Sequence, residues 1–149
     1  MSGAITVRGY RPGDLAAVAE ILRSATRQAY TFMAWTHNDD SFADFIADTL
    51  ETWDAVRVAE AGTAPVGFAC LEGDLLDQLF VLPAWQGRGV GGLLLDDIKK
   101  LRPEGFRLYT FQKNLVARAF YEKRGLVETG RGFSEQEQEA DIAYRWEPQ

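Results

Sequence analysis

A glycine-rich segment separates a predicted strand from a predicted helix near the middle of the chain. Residues Gln86–Gly92 read QGRGVGG and place four glycines within six positions. Residues 75–82 before the segment are strand-like, and residues 90–102 after it repeat apolar side chains at helical spacing. The first turn of a helix has unpaired N–H groups and a positive dipole end, and glycine lets a phosphate approach them closely. The segment therefore predicts an anion site, the alternative being a tight turn with no ligand.

The periodicity of the whole chain predicts one domain, residues 1–149, with a mixed α/β layer architecture. Helices are expected at about 14–29, 41–53, 90–102 and 114–124. Strands are expected at 4–9, 55–61, 65–72, 75–82, 106–111, 126–132 and 140–146. In the helix after the glycines, the apolar side chains expected to face inward are Val90, Leu93, Leu94, Ile98 and Leu101.

Composition argues against several classes of protein. The formal net charge of -6 disfavours nucleic acid as a partner, and no apolar run approaches the roughly 18 residues that a membrane span needs. With one histidine and one cysteine, Cys70, neither a metal site nor an internal disulfide is expected. Cys70 is interpreted as a small buried residue rather than a nucleophile. The start of the chain lacks a signal peptide, so we expect a cytoplasmic protein.

The charges are distributed unevenly along the chain. Residues 86–124 hold nine Lys/Arg against four Asp/Glu, a formal charge of +5, whereas the rest of the chain carries -11. Such segregation suits a phosphate-bearing ligand on one lobe and a cationic ligand on the other. Chance clustering on solvated helix faces is the alternative.

Two common phosphate ligands fit the glycine turn poorly. Gly87-x-Gly89-x-x-Gly92 satisfies the dinucleotide fingerprint, but the next predicted strand, 106–112, has no acidic residue to hold a ribose. A nucleoside triphosphate loop requires Gly-Lys-Ser/Thr, and no lysine follows these glycines. Both interpretations are therefore disfavoured.

A second group of candidate residues lies on the helix predicted at 114–124. Asn114, Ala117, Arg118 and Tyr121 are spaced i, i+3, i+4 and i+7, so they share one helix face. The small side chain of Ala117 leaves room for a ligand to lie close. For Tyr121 the structural alternative is a core aromatic whose hydroxyl is satisfied within the protein.

Together the two motifs resemble the GNAT acetyltransferase superfamily. Gln86-x-x-Gly89-x-Gly91 resembles that family's Gln/Arg-x-x-Gly-x-Gly/Ala signature, which binds the diphosphate of coenzyme A. Residues 79–91 resemble its fourth strand and turn, and residues 114–126 resemble its later helix and the strand that follows. The resemblance implies an α/β (α+β) GNAT fold. Its mixed, mostly antiparallel sheet of about seven strands is splayed near the middle, with about four helices on both faces.

The resemblance implies an N-acetyltransferase that transfers an acetyl group from acetyl-coenzyme A directly to a primary amine of a small molecule or peptide. A non-catalytic acyl-coenzyme A-binding module of the same fold is the alternative. By resemblance, Asn114 hydrogen-bonds the pantetheine arm, Arg118 lies toward the adenosine end, and the main chain of residues 80–82 pairs with pantetheine. The residues expected to contact the cofactor are Phe80, Val81, Leu82, Gln86, Gly87, Arg88, Gly89, Val90, Gly91, Gly92, Asn114, Ala117, Arg118 and Tyr121.

Two side chains are expected to move protons. By resemblance, Tyr121 donates to the departing thiolate, since a hydrogen bond makes a thiol with a pKa of about 8.5 a better leaving group. The amine must be neutral to attack, although a lysine-like amine titrates at about 10.4, so a base should face the thioester. Asp77 is the candidate base, with Asp74 and Glu72 as alternatives. A backbone amide near Val81 would polarise the carbonyl.

The acceptor amine is expected near the connection between the first two helices. Tyr30, Trp35 and His37 lie in this aromatic-rich segment, which in the superfamily lines the acceptor pocket. Packing of the helix pair on the sheet is the alternative role for these aromatic residues. The sequence leaves the acceptor open between a small molecule and a protein, and exposed sheet edges are compatible with a homodimer.

Overall fold

The computed structural model describes residues 4–29 and 39–148. The four helices in these ranges are α1 Leu15–Ala29, α2 Asp39–Thr49, α3 Val90–Leu101 and α4 Leu115–Lys123. The seven strands are β1 Ile5–Gly9, β2 Ala55–Ala61, β3 Ala64–Glu72, β4 Leu75–Val81, β5 Phe106–Phe111, β6 Val127–Ser134 and β7 Glu139–Trp146. No helix within the described ranges is long and apolar enough to cross a membrane.

The strands form one mixed sheet in the order β1-β2-β3-β4-β5-β7-β6. Every neighbouring pair is antiparallel except β4 and β5, which run parallel. A parallel pair needs a crossover connection, and α3 provides it between these two strands. The expected mixed, mostly antiparallel sheet is therefore confirmed.

Two apolar clusters lie on opposite faces of the sheet. Helices α1 and α2 bury one cluster, which includes Val18, Ile21, Ile46 and Phe68. Helix α3 buries the other, to which α4 contributes Tyr121. Alternation of side chains along β3 and β4 supplies both clusters from the same strands, because successive strand residues point to opposite faces.

The sequence predicts the element boundaries closely but misjudges one helix face. Most predicted ends agree with the structure within two residues; α2 ends earlier, where Leu50–Thr52 form a 3-10 turn. In α3, Leu93 and Leu101 are 41% and 37% exposed, whereas Leu95 is fully buried. The run Leu93-Leu94-Leu95 is apolar throughout, so periodicity alone could not select which flank of Leu94 faces the sheet.

Alanine substitutions on α3 test this assignment. Leu95→Ala should lower the free energy of unfolding by about 2–5 kcal/mol, the range for truncating a buried leucine. Leu93→Ala is the matched control and should cost less than about 1 kcal/mol, because much of its side chain already contacts water. Urea unfolding of both variants measures the difference, and equal destabilisation would contradict the assigned face.

Candidate active site

Strands β4 and β5 lie side by side but pair at one point. The register joins Leu75 to Arg107, and the Arg107 amide donates to the Asp74 carbonyl at 2.8 Å. Beyond this point the strands diverge, and residues 76–81 of β4 have no register partner on β5 in the described part of the chain. This gap is the expected splay of the sheet, and strand edges without a partner can pair with an extended ligand.

Val81 directs backbone groups into the gap. It lies opposite Gly67 of β3, and the next amide, that of Leu82, donates to the Val66 carbonyl at 2.8 Å. Backbone groups of successive strand residues point to opposite edges, so the N–H and C=O of Val81 point away from β3. The Gln86 Nε2 amide donates to this carbonyl at 3.1 Å, and the Val81 N–H remains directed toward β5.

The glycine turn bends through two residues in the left-handed region. Gly87 and Gly89 have φ angles of +77° and +86°, which glycine adopts without a Cβ penalty. Gly89 precedes α3, and the Leu93 amide donates to its carbonyl at 3.1 Å. Within the described residues, none of the six amides from Gly87 to Gly92 has a hydrogen-bond acceptor. Together they form the donor group that an anion meets at a helix N-terminus.

Gly91 and Gly92 are packed so closely against other side chains that a Cβ would crowd them. One of these neighbours is a cation that the glycine motif does not include. A Cβ on Gly91 would lie 3.1 Å from the ring of Phe120, and one on Gly92 would lie 3.3 Å from the Arg124 guanidinium. The guanidinium carbon of Arg124 lies 4.0 Å from the centre of the Phe120 ring. A positive charge therefore lies beside the first turn of α3. Arg124 lies within the stretch 114–126 that carries the resemblance, but its contact with Gly92 joins residues distant in sequence, and local spacing does not predict such contacts.

A cavity of about 960 Å³ occupies the gap between β4 and β5. It brings together residues that the sequence places on the fourth strand, the glycine turn and the later helix. Those that line it are Asp77, Phe80, Val81, Gln86, Gly87, Gly91, Asn114, Ala117 and Tyr121.

Several other residues expected at the cofactor do not line the cavity. The Val90 side chain is buried in the core, and the Arg88 guanidinium lies over the Trp85 ring at 4.9 Å. Both belong to the turn, where they offer main-chain amides rather than side chains. The full set outside the cavity is Leu82, Arg88, Gly89, Val90, Gly92 and Arg118.

Three members of the expected α4 face lie together along the cavity. Asn114 Oδ1 accepts a 3.1 Å hydrogen bond from the Ala117 amide, so Asn114 caps the helix and also lines the cavity. Tyr121 is 8% exposed, and its ring packs edge-on against Phe120 with centroids 5.2 Å apart. Tyr121 is therefore both a buried aromatic residue and part of the cavity wall.

Arg118, which the resemblance places toward the adenosine end of the cofactor, is not among the residues that line the cavity. Its guanidinium donates to the Gln112 carbonyl at 3.1 Å and to the Tyr144 hydroxyl at 3.2 Å. Tyr144 donates in turn to Glu122, and burial together with that hydrogen bond raises the pKa of Tyr144. On a helix, residues i+3 and i+4 lie on opposite sides of a line drawn along the helix through residue i. Relative to Asn114, Ala117 therefore lies on one side and Arg118 on the other, where its hydrogen-bond partners hold it near β7.

Asp77 is the extra residue of a β-bulge. The β3–β4 register pairs Cys70 with Gln78 and Leu71 with Leu76, so Asp77 has no opposite number. Bulges redirect side chains beside active sites, and Asp77 lines the cavity. Its Oδ2 accepts a 2.8 Å hydrogen bond from Trp53 Nε1, a contact between residues far apart in sequence.

The two alternative acids lie elsewhere. Asp74 pairs with Arg107 at 3.0 Å and with Arg145 at 3.4 Å, and the hydrogen bond from Arg107 lowers the pKa of Asp74. Glu72 is exposed at the end of β3. Neither residue lines the cavity. Of the three candidate bases, Asp77 alone lines the cavity.

The expected acceptor residues Tyr30, Trp35 and His37 lie outside the described residues. Further described residues line the cavity and carry no sequence motif that could have identified them. They come from α1, α2 and the β6–β7 hairpin, and include Thr26, Gln28, Phe42, Phe45, Glu137 and Asp141. Phe45 lines the cavity from α2 and is 43% exposed.

Cys70 is buried in the α1–α2 cluster, as its apolar sequence context predicts. Burial, together with the nearby Asp77 carboxylate, raises the pKa of the Cys70 thiol. It does not line the cavity, so neither its position nor its ionisation suits a nucleophile. Among the described residues, no group of three or more His, Cys, Asp or Glu could hold a metal ion.

Known proteins share this fold and sequence pattern. A family model described as an acetyltransferase (GNAT) domain matches residues 52–128. Peptidyl-lysine N-acetyltransferase YjaB from Escherichia coli is 30% identical over 130 residues, which cover 76% of this chain and 86% of that protein. A GCN5-related N-acetyltransferase structure from Rhodopseudomonas palustris has 25% identity and a TM-score of 0.81, covering 99% of this chain and 98% of that one.

A fold neighbour has been solved with a ligand. The PaiA N-acetyltransferase from Thermoplasma acidophilum, in complex with coenzyme A, has a TM-score of 0.72 at 20% identity, covering 97% of this chain and 99% of that one. The comparisons confirm the expected fold and acyltransferase class, with acetyl-coenzyme A as the cofactor of the family. This chain belongs to the GNAT acetyltransferase family.

Proposed function

We propose that this chain is an N-acetyltransferase that transfers the acetyl group of acetyl-coenzyme A to the primary amine of a lysine-like side chain, by direct attack in a ternary complex. One observation carries the proposal: Asp77 on β4 and Tyr121 on α4 line the same cavity, in the gap between the parallel strands. The gap thus combines a carboxylate and a phenol, the base and the acid that amide formation from a thioester requires.

The turn and the strand edge fit the shape and charge of coenzyme A. The amides of residues 87–92 are arranged to receive its diphosphate, and the Arg124 guanidinium beside Gly92 adds a positive charge. The unpaired edge of β4 at Val81 can hydrogen-bond an extended pantetheine arm. Asn114 and Ala117 form the other wall of this channel. When bound, acetyl-coenzyme A supplies a thioester whose sulfur leaves as a thiolate.

Tyr121 and the Val81 amide act on the two atoms where negative charge develops. The Tyr121 hydroxyl donates to the leaving sulfur, which lowers the cost of expelling it. The Val81 N–H directed toward β5 polarises the carbonyl oxygen as an oxyanion donor. The Val81 amide belongs to a strand, and the Tyr121 side chain is buried on a helix. Both donors are therefore held in place and need little reorganisation during the reaction.

Asp77 removes the proton from the attacking amine, directly or through one water. Its Oδ2 already accepts from Trp53, and the residue lines the cavity from a bulge in β4. Cys70 is buried and outside the cavity, so no thiol is positioned to form an acyl-enzyme. The arrangement supports direct transfer rather than a two-step exchange.

The charges of the cavity favour a cationic acceptor. Three carboxylates line it, those of Asp77, Glu137 and Asp141. Among the described residues of the wall one is basic, Lys113, and it pairs with Glu139 at 3.3 Å. An ammonium group is attracted to such a surface before it is deprotonated. A peptidyl-lysine substrate, as in the name of the E. coli relative, carries its amine on an extended alkyl stem that could enter the cavity.

An acceptor series tests the function. Thiol release from acetyl-coenzyme A should depend on a lysine peptide with a blocked α-amine and a free ε-amine. The same peptide with a free α-amine and an acetylated ε-amine is the matched control and should react at least tenfold more slowly. Polyamines and free amino acids complete the panel. Coenzyme A binding without thiol release for any amine would indicate the non-catalytic module instead.

Tyr121→Phe should lower kcat about 100-fold, because the thiolate would leave without its proton donor. The affinity for coenzyme A, measured by calorimetry, should change little, since the ring is retained. Tyr10→Phe is the matched control: Tyr10 packs on the opposite face of the sheet, outside the cavity. It should retain the wild-type kcat. An unchanged kcat in Tyr121→Phe would refute the acid role.

Two substitutions at Gly89 test the diphosphate site, because their side chains have the same shape and differ in charge. Asn and Asp both tolerate the left-handed conformation of this residue, so Gly89→Asn and Gly89→Asp differ mainly in one negative charge. We expect Gly89→Asp to bind coenzyme A at least tenfold more weakly than Gly89→Asn, about 1.4 kcal/mol. Calorimetry at two salt concentrations measures both, and equal affinities would place the diphosphate elsewhere.

A further inference from the structure

Trp53 and Asp77 form a hydrogen-bonded pair that links the end of the 3-10 turn after α2 to the bulge in β4. The indole Nε1 donates to Asp77 Oδ2 at 2.8 Å, and Trp53 is 6% exposed. We infer that Trp53 is a positioning residue for the reaction: its N–H fixes the orientation of the Asp77 carboxylate toward the acceptor amine. This inference rests on the proposed role of Asp77 as the base.

The bulge makes such a tether necessary. Asp77 is the residue of β4 that the β3 register skips, so its backbone is held less firmly than that of a regular ladder residue. Oδ2 is engaged by Trp53, whereas no described residue donates a hydrogen bond to Oδ1. One oxygen is thus anchored and the other is available to an amine or a water. A base held in one geometry avoids the loss of rate that follows from a misplaced group.

Trp53 is itself rigidly held. Its indole packs edge-on against Phe45, with ring centroids 6.3 Å apart. The next residue, Asp54, donates its amide to the Leu71 carbonyl at 2.7 Å, beside the bulge. The Asp54 carboxylate also accepts from the Gly73 amide in the turn between β3 and β4. The segment that carries the indole is therefore fastened to the same hairpin that carries Asp77.

A purely structural role is the competing explanation, because a buried indole N–H usually finds an acceptor. In that case the pair would stabilise the fold, and loss of the N–H would leave catalysis unchanged. The two explanations differ in what they predict for kcat when the N–H is removed in the presence and in the absence of the Asp77 carboxylate.

The test is a double-mutant cycle on the 149-residue chain, with a lysine peptide and acetyl-coenzyme A as substrates. Trp53→Phe should lower kcat about tenfold and leave the KM for acetyl-coenzyme A unchanged. Asp77→Asn should lower kcat about 100-fold. In the Asp77→Asn background, Trp53→Phe should have no further effect, since the residue acts through the carboxylate. Independent, multiplicative losses of kcat would overturn the inference, as would a wild-type kcat in Trp53→Phe.

Two controls separate positioning from stability. Ile46→Val removes one methylene from the same apolar cluster, outside the cavity, and should lower Tm without changing kcat. If Trp53→Phe does not fold, benzothienylalanine at position 53 preserves the ring shape without the N–H. The same tenfold loss is expected, and a wild-type kcat would refute positioning. A wild-type kcat in Asp77→Asn would refute the base role and this inference together, while amine-dependent thiol release would still support the acetyltransferase proposal.

Discussion

The single point of pairing between β4 and β5 is the constraint on which the rest of the structure depends. It joins two antiparallel groups of strands, β1 to β4 and β5-β7-β6, at Leu75 and Arg107, and leaves their other ends apart. Because the two strands are parallel, the helices that follow them, α3 and α4, begin at the same open end. Two helix N-termini, an unpaired strand edge and a cavity therefore converge there, as ligand sites do at the carboxyl ends of parallel strands.

Periodicity was sufficient to locate the elements but not this gap. Hydrophobic spacing reports which face of a helix or strand is buried, and the predicted ranges of β2 and β5 match the structure. The gap concerns strand edges, whose backbone hydrogen bonds leave no trace in the order of side chains. The splay was expected through the resemblance to the GNAT superfamily. Where apolar residues adjoin, as in Leu93-Leu94-Leu95, even the buried face was ambiguous.

The candidate site likewise contains residues that the sequence could identify and residues that it could not. The glycine turn was predictable because conformation and ligand proximity both demand glycine locally, as the positive φ angles of Gly87 and Gly89 demonstrate. Arg124 and Trp53 were not, because each reaches its place through a partner distant in sequence. Arg118 illustrates the reverse case. Its spacing was right for a shared face, but a Tyr144–Glu122 pair on the neighbouring flank binds its guanidinium.

The uneven charge along the chain acquires a spatial meaning around the gap. The basic segment supplies the turn, and Arg124 from its end lies beside Gly92, whereas Asp77, Glu137 and Asp141 come from the acidic remainder. Salt screens charges inside a cavity less than charges on the open surface, so these three carboxylates keep more of their attraction for a cation that enters. Gly87 and Gly91 of the basic turn and the three carboxylates line the same cavity, and the proposed pairing of a polyanionic donor with a cationic acceptor rests on this arrangement.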